Sequence, residues 1–278
     1  MITKDEDLIN IDAPIGALKT QLCKLLLSVD RIGWLTGSTT GRFDVRRTSR
    51  MMAGSERVFK SRTETPATTT AVSIIIDLSG SMGESEGGTK RIDVAAQCAY
   101  AIATAVERSN CDVEVVGFGG DNNAIGAMSP KAMAGMDGVS GSGSGGERYS
   151  QTILFDIKPF NVKTQTRRRS FQMLNRMTNF CTPDYHAVRT VTEQLAQRTE
   201  QRKIVLVLTD GLGDVDRMNE FTRFSSNIYK LPVLGIGIKT NAYHMGRAYN
   251  KFVTVNTLKE LTDVAIKSLI AQIESTTH

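Results

Sequence analysis

One carboxylate and two hydroxyls stand at alternate positions in Asp77-Leu78-Ser79-Gly80-Ser81. They follow an apolar, β-branched run, Ala71-Val72-Ser73-Ile74-Ile75-Ile76, that reads as a buried strand. Asp77, Ser79 and Ser81 would then project from a tight turn at the carboxyl end of that strand. Hard oxygen donors with few carboxylates among them suit Mg2+ (or Mn2+), which keeps part of its water shell. Gly80 lets the loop backbone come close to an ion. The plainer reading is a strand ending in a Ser-Gly turn, with Asp77 as a local cap. A second apolar run, Lys203-Ile204-Val205-Leu206-Val207-Leu208-Thr209, also ends in an aspartate, Asp210, followed by Gly211. In open α/β sheets, ligands bind at the carboxyl ends of strands, so residues far apart in the chain can meet there.

The elements that must position these side chains follow from periodicity. Strands are predicted at 71–77, 112–118, 203–209 and 231–238, with a short one near Phe252-Val253-Thr254. Helices are predicted at 91–108, 167–178, 184–199 and 258–274. Apolar strands alternating with helices imply a Rossmann-like, mainly parallel sheet covered on both faces. Before it, residues 12–29 carry a one-sided helical pattern through Ile15, Leu18, Leu22, Leu25, Leu26 and Val29. Residues 33–70, rich in Gly, Ser, Thr and Arg, read as an extended arm with short strands. The expected division is a 1–66 segment of helix and basic arm packed on a 67–278 α/β domain, since one helical face is too small to bury a core alone. The Gly/Ser-rich stretch 137–146 reads as a flexible loop. It is no phosphate loop, because no Gly-Lys-Ser/Thr follows it.

The order of the three motifs resembles the von Willebrand factor A domain. Asp77-Leu78-Ser79-Gly80-Ser81-Met82 is similar to that family's first metal motif, the loop of Thr182 to its threonine loop, and Thr209-Asp210-Gly211 to its later aspartate. The resemblance narrows to the C-terminal part of the cobaltochelatase CobT subunit. It runs through Gly41-Arg42-Phe43-Asp44-Val45-Arg46-Arg47, Val113-Glu114-Val115-Val116-Gly117-Phe118 and Leu234-Gly235-Ile236-Gly237-Ile238. Phe180-Cys181-Thr182-Pro183 departs from the Asn-x-Asp-Gly-Glu loop of that family and is closer to general A domains. The resemblance implies a metal site of Asp77, Ser79, Ser81, Thr182 and Asp210. It also implies a separate MoxR/CobS-like AAA+ ATPase as partner, a further chelatase subunit, and a part in cobalt insertion or in remodelling another target. A free-standing adhesion or scaffold module that grips an acidic partner through its metal remains the other reading.

Composition bounds these readings. The 278 residues are 40% hydrophobic and 23% charged, an ordinary soluble balance. No apolar run approaches the ~20 residues of a membrane span, and residues 1–10 are too polar for a secretory signal. Cys23, Cys98, Cys111 and Cys181 form no Cys-x-x-Cys pair, which argues for a reducing, cytoplasmic setting. The formal charge is +5, and residues 31–62 hold eight Lys/Arg against two Asp/Glu. Such a basic arm can pair with the chain's own carboxylates or meet an acidic partner. Without aromatic platforms or a recognition motif, it argues against nucleic acid. A homo-oligomer is left open. No nucleotide-binding motif and no general base beside the metal motif is evident, so catalysis by this chain alone is not indicated. His186 reads as a helix-surface residue, and His244 as a residue at the rim of the strand ends.

Overall fold

The computed structural model describes residues 8–11, 33–63, 69–121, 151–178, 180–211 and 213–261. The helix predicted at 12–29, the loop at 137–146 and most of the helix predicted at 258–274 lie outside them. Two compact units divide the chain, 27–68 and the remainder.

The smaller unit is an antiparallel sheet of Gly33–Ser38, Phe59–Thr63 and Arg42–Phe43, in that spatial order. A 3-10 turn, Val45–Arg47, and a short helix, Thr48–Met52, join its last two strands in sequence. Asp44 caps the turn by accepting from the Arg46 amide. The extended arm of the sequence reading is thus a small sheet with a helical connection.

The larger unit is built on six strands: β1 (Thr70–Asp77), β2 (Asp112–Asp121), β3 (Gln151–Lys158), β4 (Arg202–Thr209), β5 (Val233–Ile238) and β6 (Phe252–Val255). Their order is β6-β5-β4-β1-β2-β3, parallel throughout except for β3. The motif strands β1 and β4 are therefore central neighbours. Every residue of β1 is buried. Val72, Ile74 and Ile76 enter one core layer, Ala71 and Ile75 the other. That two-sided burial explains why β1 reads as a continuous apolar run rather than an alternation.

Helix α1 (Arg91–Glu107) covers the first face. Its small residues, among them Ala95, Ala96, Ala99 and Ala103, are buried there. Ile9 and Ile11 join this layer, with the Ile9 amide donating to the Gln172 carbonyl at 3.0 Å. Helices α2 (Asp184–Ala196), α3 (Val215–Phe224) and α4 (Ala242–Ala248) contribute to the opposite layer. Gly235 and Gly237 of β5 let α4 approach, because a Cβ there would meet Tyr249 and Met245 within 2.7 Å. Among the described residues no helix is long and apolar enough to cross a membrane.

One predicted helix changes, and three elements are new. The helix predicted at 167–178 is broken into Thr164–Arg167, Arg168–Gln172 and Leu174–Arg176. Only Phe171 and Leu174 are buried in its last two pieces, too narrow a stripe to hold a continuous helix. Strand β3 and helices α3 and α4 were not foreseen. Asp214 and Asn241 cap the two helices through their side chains, accepting from Arg217 and Tyr243 amides, and these caps were the available signal.

Candidate functional site

Loops at the carboxyl ends of β1 and β4 bring Asp77 and Asp210 together. Asp77 ends β1 fully buried. Its Oδ1 accepts the Ser79 amide at 2.9 Å, and its Oδ2 accepts the Thr209 hydroxyl at 2.8 Å. The Thr209 Oγ1 in turn accepts the Gly211 amide at 3.1 Å. One hydroxyl therefore ties both strand ends. Gly211 has φ +82°, a left-handed conformation that favours glycine. Sequence reading passed over Thr209, although it stands beside Asp210.

Ser79 and Ser81 lie with their hydroxyl oxygens 3.0 Å apart. The carboxylate of Asp210 is 2% exposed, and among the described residues neither of its oxygens accepts a hydrogen bond. Burial, and then the charge of Asp210, push Asp77 up to about 7, against the hydrogen bonds from Ser79 and Thr209. Two carboxylates are thus held out of water with too few donors, an arrangement that a cation relieves. Among the described residues no three His, Cys, Asp or Glu side chains converge. Any ion held here would use hydroxyl and water oxygens beside the two carboxylates, a hard donor set that fits Mg2+ or Mn2+.

Thr182 is half-buried on the third loop. That loop is stapled to the first. The Gly80 amide donates to the Phe180 carbonyl at 3.0 Å, and Cys181 exchanges two backbone bonds with Gly120, at 2.8 and 2.9 Å. Gly119 permits this approach, since a Cβ there would lie 2.4 Å from the Phe180 side chain. Thr182 stands two residues beyond Phe180, the residue that bridges to Ser79.

Three further residues shape the site. Asp184, the first residue of α2, is buried and accepts the Asp214 amide at 2.9 Å, which braces the loop after Asp210. A Cβ at Gly213 would fall 1.8 Å from its carboxylate. Tyr249 is buried, and its hydroxyl makes no hydrogen bond among the described residues. Burial and then Asp184 and Asp77 raise its pKa well above the ordinary tyrosine value. Arg91, opening α1, reaches Asp210 at 3.6 Å and the Ser81 carbonyl at 3.2 Å. Its place at the start of the helix after the motif was the signal that could have found it.

The two histidines part ways. His186 is half-buried, packs edge-on against Tyr185 at 5.1 Å and lines a groove of about 680 Å³ with Phe221 and Phe224. It is not a simple surface residue. His244 is exposed, and a Cβ at Gly211 would lie 3.7 Å from its own, which sets it beside the Asp210 loop.

Comparison with known proteins agrees with this architecture. BatB from Bacteroides thetaiotaomicron, a conserved hypothetical protein, superposes with a TM-score of 0.50 at 12% identity, over 74% of this chain and 99% of that one. An aerotolerance-related membrane protein from Bacteroides fragilis gives 0.49 at 13%, over 74% and 100%. At these identities the first likeness concerns the fold alone. Residues 58–275 match the family described as "Cobalamin biosynthesis protein CobT VWA domain". With most of its length matched, the chain belongs to the CobT family of von Willebrand factor A domains.

Proposed function

We propose that this chain is a Mg2+-dependent (or Mn2+-dependent) protein-binding domain of the CobT type. In this reading the metal is held by Asp77, Ser79, Ser81, Thr182 and Asp210. It works with a separate MoxR/CobS-like AAA+ ATPase, in cobalt insertion during cobalamin biosynthesis or in remodelling another target. The observation that carries the reading is the buried pair Asp77 and Asp210: among the described residues neither Asp210 oxygen accepts a hydrogen bond, and the Ser79 and Ser81 hydroxyls lie 3.0 Å apart on the loop that follows Asp77.

Two carboxylates and neutral hydroxyls leave a dication short of negative charge, so a carboxylate from a partner can take an open position. When bound, the metal supplies a bridge between that carboxylate and this chain. The chain's own residues do the rest. The Ser79 amide and the Thr209 hydroxyl hold Asp77 oriented. The backbone staples fix the third loop, Phe180 against the first loop and Cys181 against the end of β2. Without the bridge, the partner's carboxylate would face Asp77 and Asp210 directly, so repulsion adds to the lost bond.

The test is a calorimetric titration of the full chain with its cognate MoxR/CobS-like ATPase. EDTA, or Asp77→Ala, is expected to weaken the complex at least about tenfold, roughly 1.4 kcal/mol. Tight binding that ignores both would overturn the bridge. Absence of any complex, with Mg2+ binding intact, would point to the free-standing module.

A further inference from the structure

Arg91 is the cation that the described structure sets against Asp210. Its Nη1 lies 3.6 Å from Asp210 Oδ2, outside hydrogen-bonding distance. The same nitrogen donates to the Ser81 carbonyl at 3.2 Å and to the Glu84 carboxylate at 3.1 Å, while Nη2 lies 3.8 Å from Glu86. Its Nε is buried and, among the described residues, has no acceptor. The guanidinium is 19% exposed, Glu84 and Glu86 are 68% and 64% exposed, and Asp210 is 2% exposed. One fork is therefore shared between a buried carboxylate and two solvated ones. It neutralises Asp210 without occupying either oxygen's lone pairs.

Glu86 belongs to a two-strand hairpin, Ser85–Glu86 and Thr89–Lys90, that Lys239 holds by donating to the Glu86 and Thr89 carbonyls. That hairpin leads directly into Arg91, and its Glu86, with Glu84 just before it, gives the arginine carboxylates to turn to. A divalent ion on Asp210 would place a second positive charge against the carboxylate that Arg91 already faces, and like charges so near repel. Resting on the metal reading above, we propose that Arg91 is a tethered counter-cation. It holds Asp210 while the site lacks metal, and it shifts towards Glu84 and Glu86 when a divalent cation binds. The arginine then does two opposed things. It stabilises the metal-free fold by offsetting the buried carboxylate, and it lowers the affinity for the ion. A site weakened in this way holds its metal firmly only when a partner carboxylate adds negative charge, so metal and partner are bound cooperatively.

The sign of the effect separates this from a merely structural arginine. In Arg91→Gln, Mg2+ measured by calorimetry should bind about three- to tenfold more tightly. Thermal unfolding without metal should occur several degrees lower, with most of the deficit recovered at saturating Mg2+. Arg91→Lys keeps the charge and should bind Mg2+ close to wild type. A structural role would instead weaken Mg2+ binding together with stability, and that result, or unchanged affinity, overturns the proposal. Side-chain 15N spectra of the wild-type chain supply a check independent of any variant. The Arg91 signal should shift as Mg2+ is added, and a signal that stays still also overturns it. If wild-type protein binds no Mg2+ by calorimetry, it is the metal reading itself that fails.

Discussion

At the amino-terminal edge of the sheet the ammonium of Lys158 is 1% exposed, yet it lies 3.0 Å from Glu107 and donates to the Val113 carbonyl. Glu107 also accepts the Thr164 amide through both oxygens, at 2.8 and 3.1 Å. Nearby, Arg198 pairs with Asp112 at 3.1 Å and with Glu200. At the carboxyl edge of the same sheet Asp77 and Asp210 are as deeply buried, but their charges oppose each other, and among the described residues Asp210 has only a shared arginine at 3.6 Å. Burying a charge is costly unless it is paired and hydrogen-bonded. The first edge meets that condition from within the chain. The second does not, so it is the edge where something from outside can gain most by binding.

The largest expected effect sharpens this contrast through pH. In the metal-free chain Asp77 titrates at about 7, against an ordinary 3.8, because of burial and then Asp210. A folded-state pKa above the unfolded one means that the folded chain holds the proton more tightly. Its contribution to stability is complete below about pH 4 and is lost as pH rises through about 7. Metal-free stability should therefore fall between about pH 4 and pH 7, by up to about 4 kcal/mol. The gain in melting temperature on adding Mg2+ should grow over the same window, since the metal replaces the proton. In Asp210→Asn the fall should become smaller but persist, because burial is the larger cause, and the Mg2+ gain should vanish. Differential scanning fluorimetry with Mg2+ and with EDTA measures both. A flat metal-free profile would break the comparison, because the two edges would then be equally satisfied.

Next in size is the paired edge. Glu107→Ala strands Lys158 as a buried, uncompensated charge and removes the acceptor of the Thr164 amide. It should cost about 3 kcal/mol in urea unfolding. Mg2+ affinity should be unchanged, because the damage lies at the far end of the strands. If metal binding fell in parallel, the two edges would be coupled rather than separate.

The sheet and the site were legible to different degrees, for physical reasons. Strands β1 and β4 stood out because two-sided burial demands continuous apolar runs, and Asp77 and Asp210 because a carboxylate directly after such a run is conspicuous. β3 was less visible. It is the antiparallel edge strand, and its apolar run is only Ile153-Leu154-Phe155, with Asp156 standing before Ile157. The supporting residues were harder still. Asp184 acts through a backbone amide thirty positions away. Tyr249 approaches β5 only because Gly235 lacks a Cβ, and neither relation leaves a periodic trace. Arg91 sits in an ordinary charged helix start, and its meaning appears only when Asp210 is brought to it by the fold.

The smallest effect tests the loop that departs from the CobT pattern. Thr182 is fixed by backbone staples on the residues before it and by the start of α2 after it, and its half-buried side chain carries no part of the sheet. Thr182→Val keeps the shape and removes the hydroxyl. If Thr182 reaches the metal, directly or through a bound water, Mg2+ should bind about three- to tenfold more weakly, roughly 0.7–1.4 kcal/mol. Urea stability of the metal-free chain should be unaltered, and Thr182→Ser should restore most of the affinity. These two controls separate loss of a ligand from disturbance of the loop. Equal Mg2+ binding by wild type and Thr182→Val would remove this residue from the site and leave Asp77, Ser79, Ser81 and Asp210. The unsatisfied edge would then rest on two loops rather than three, with the Phe180–Cys181 staples serving only to shape its wall.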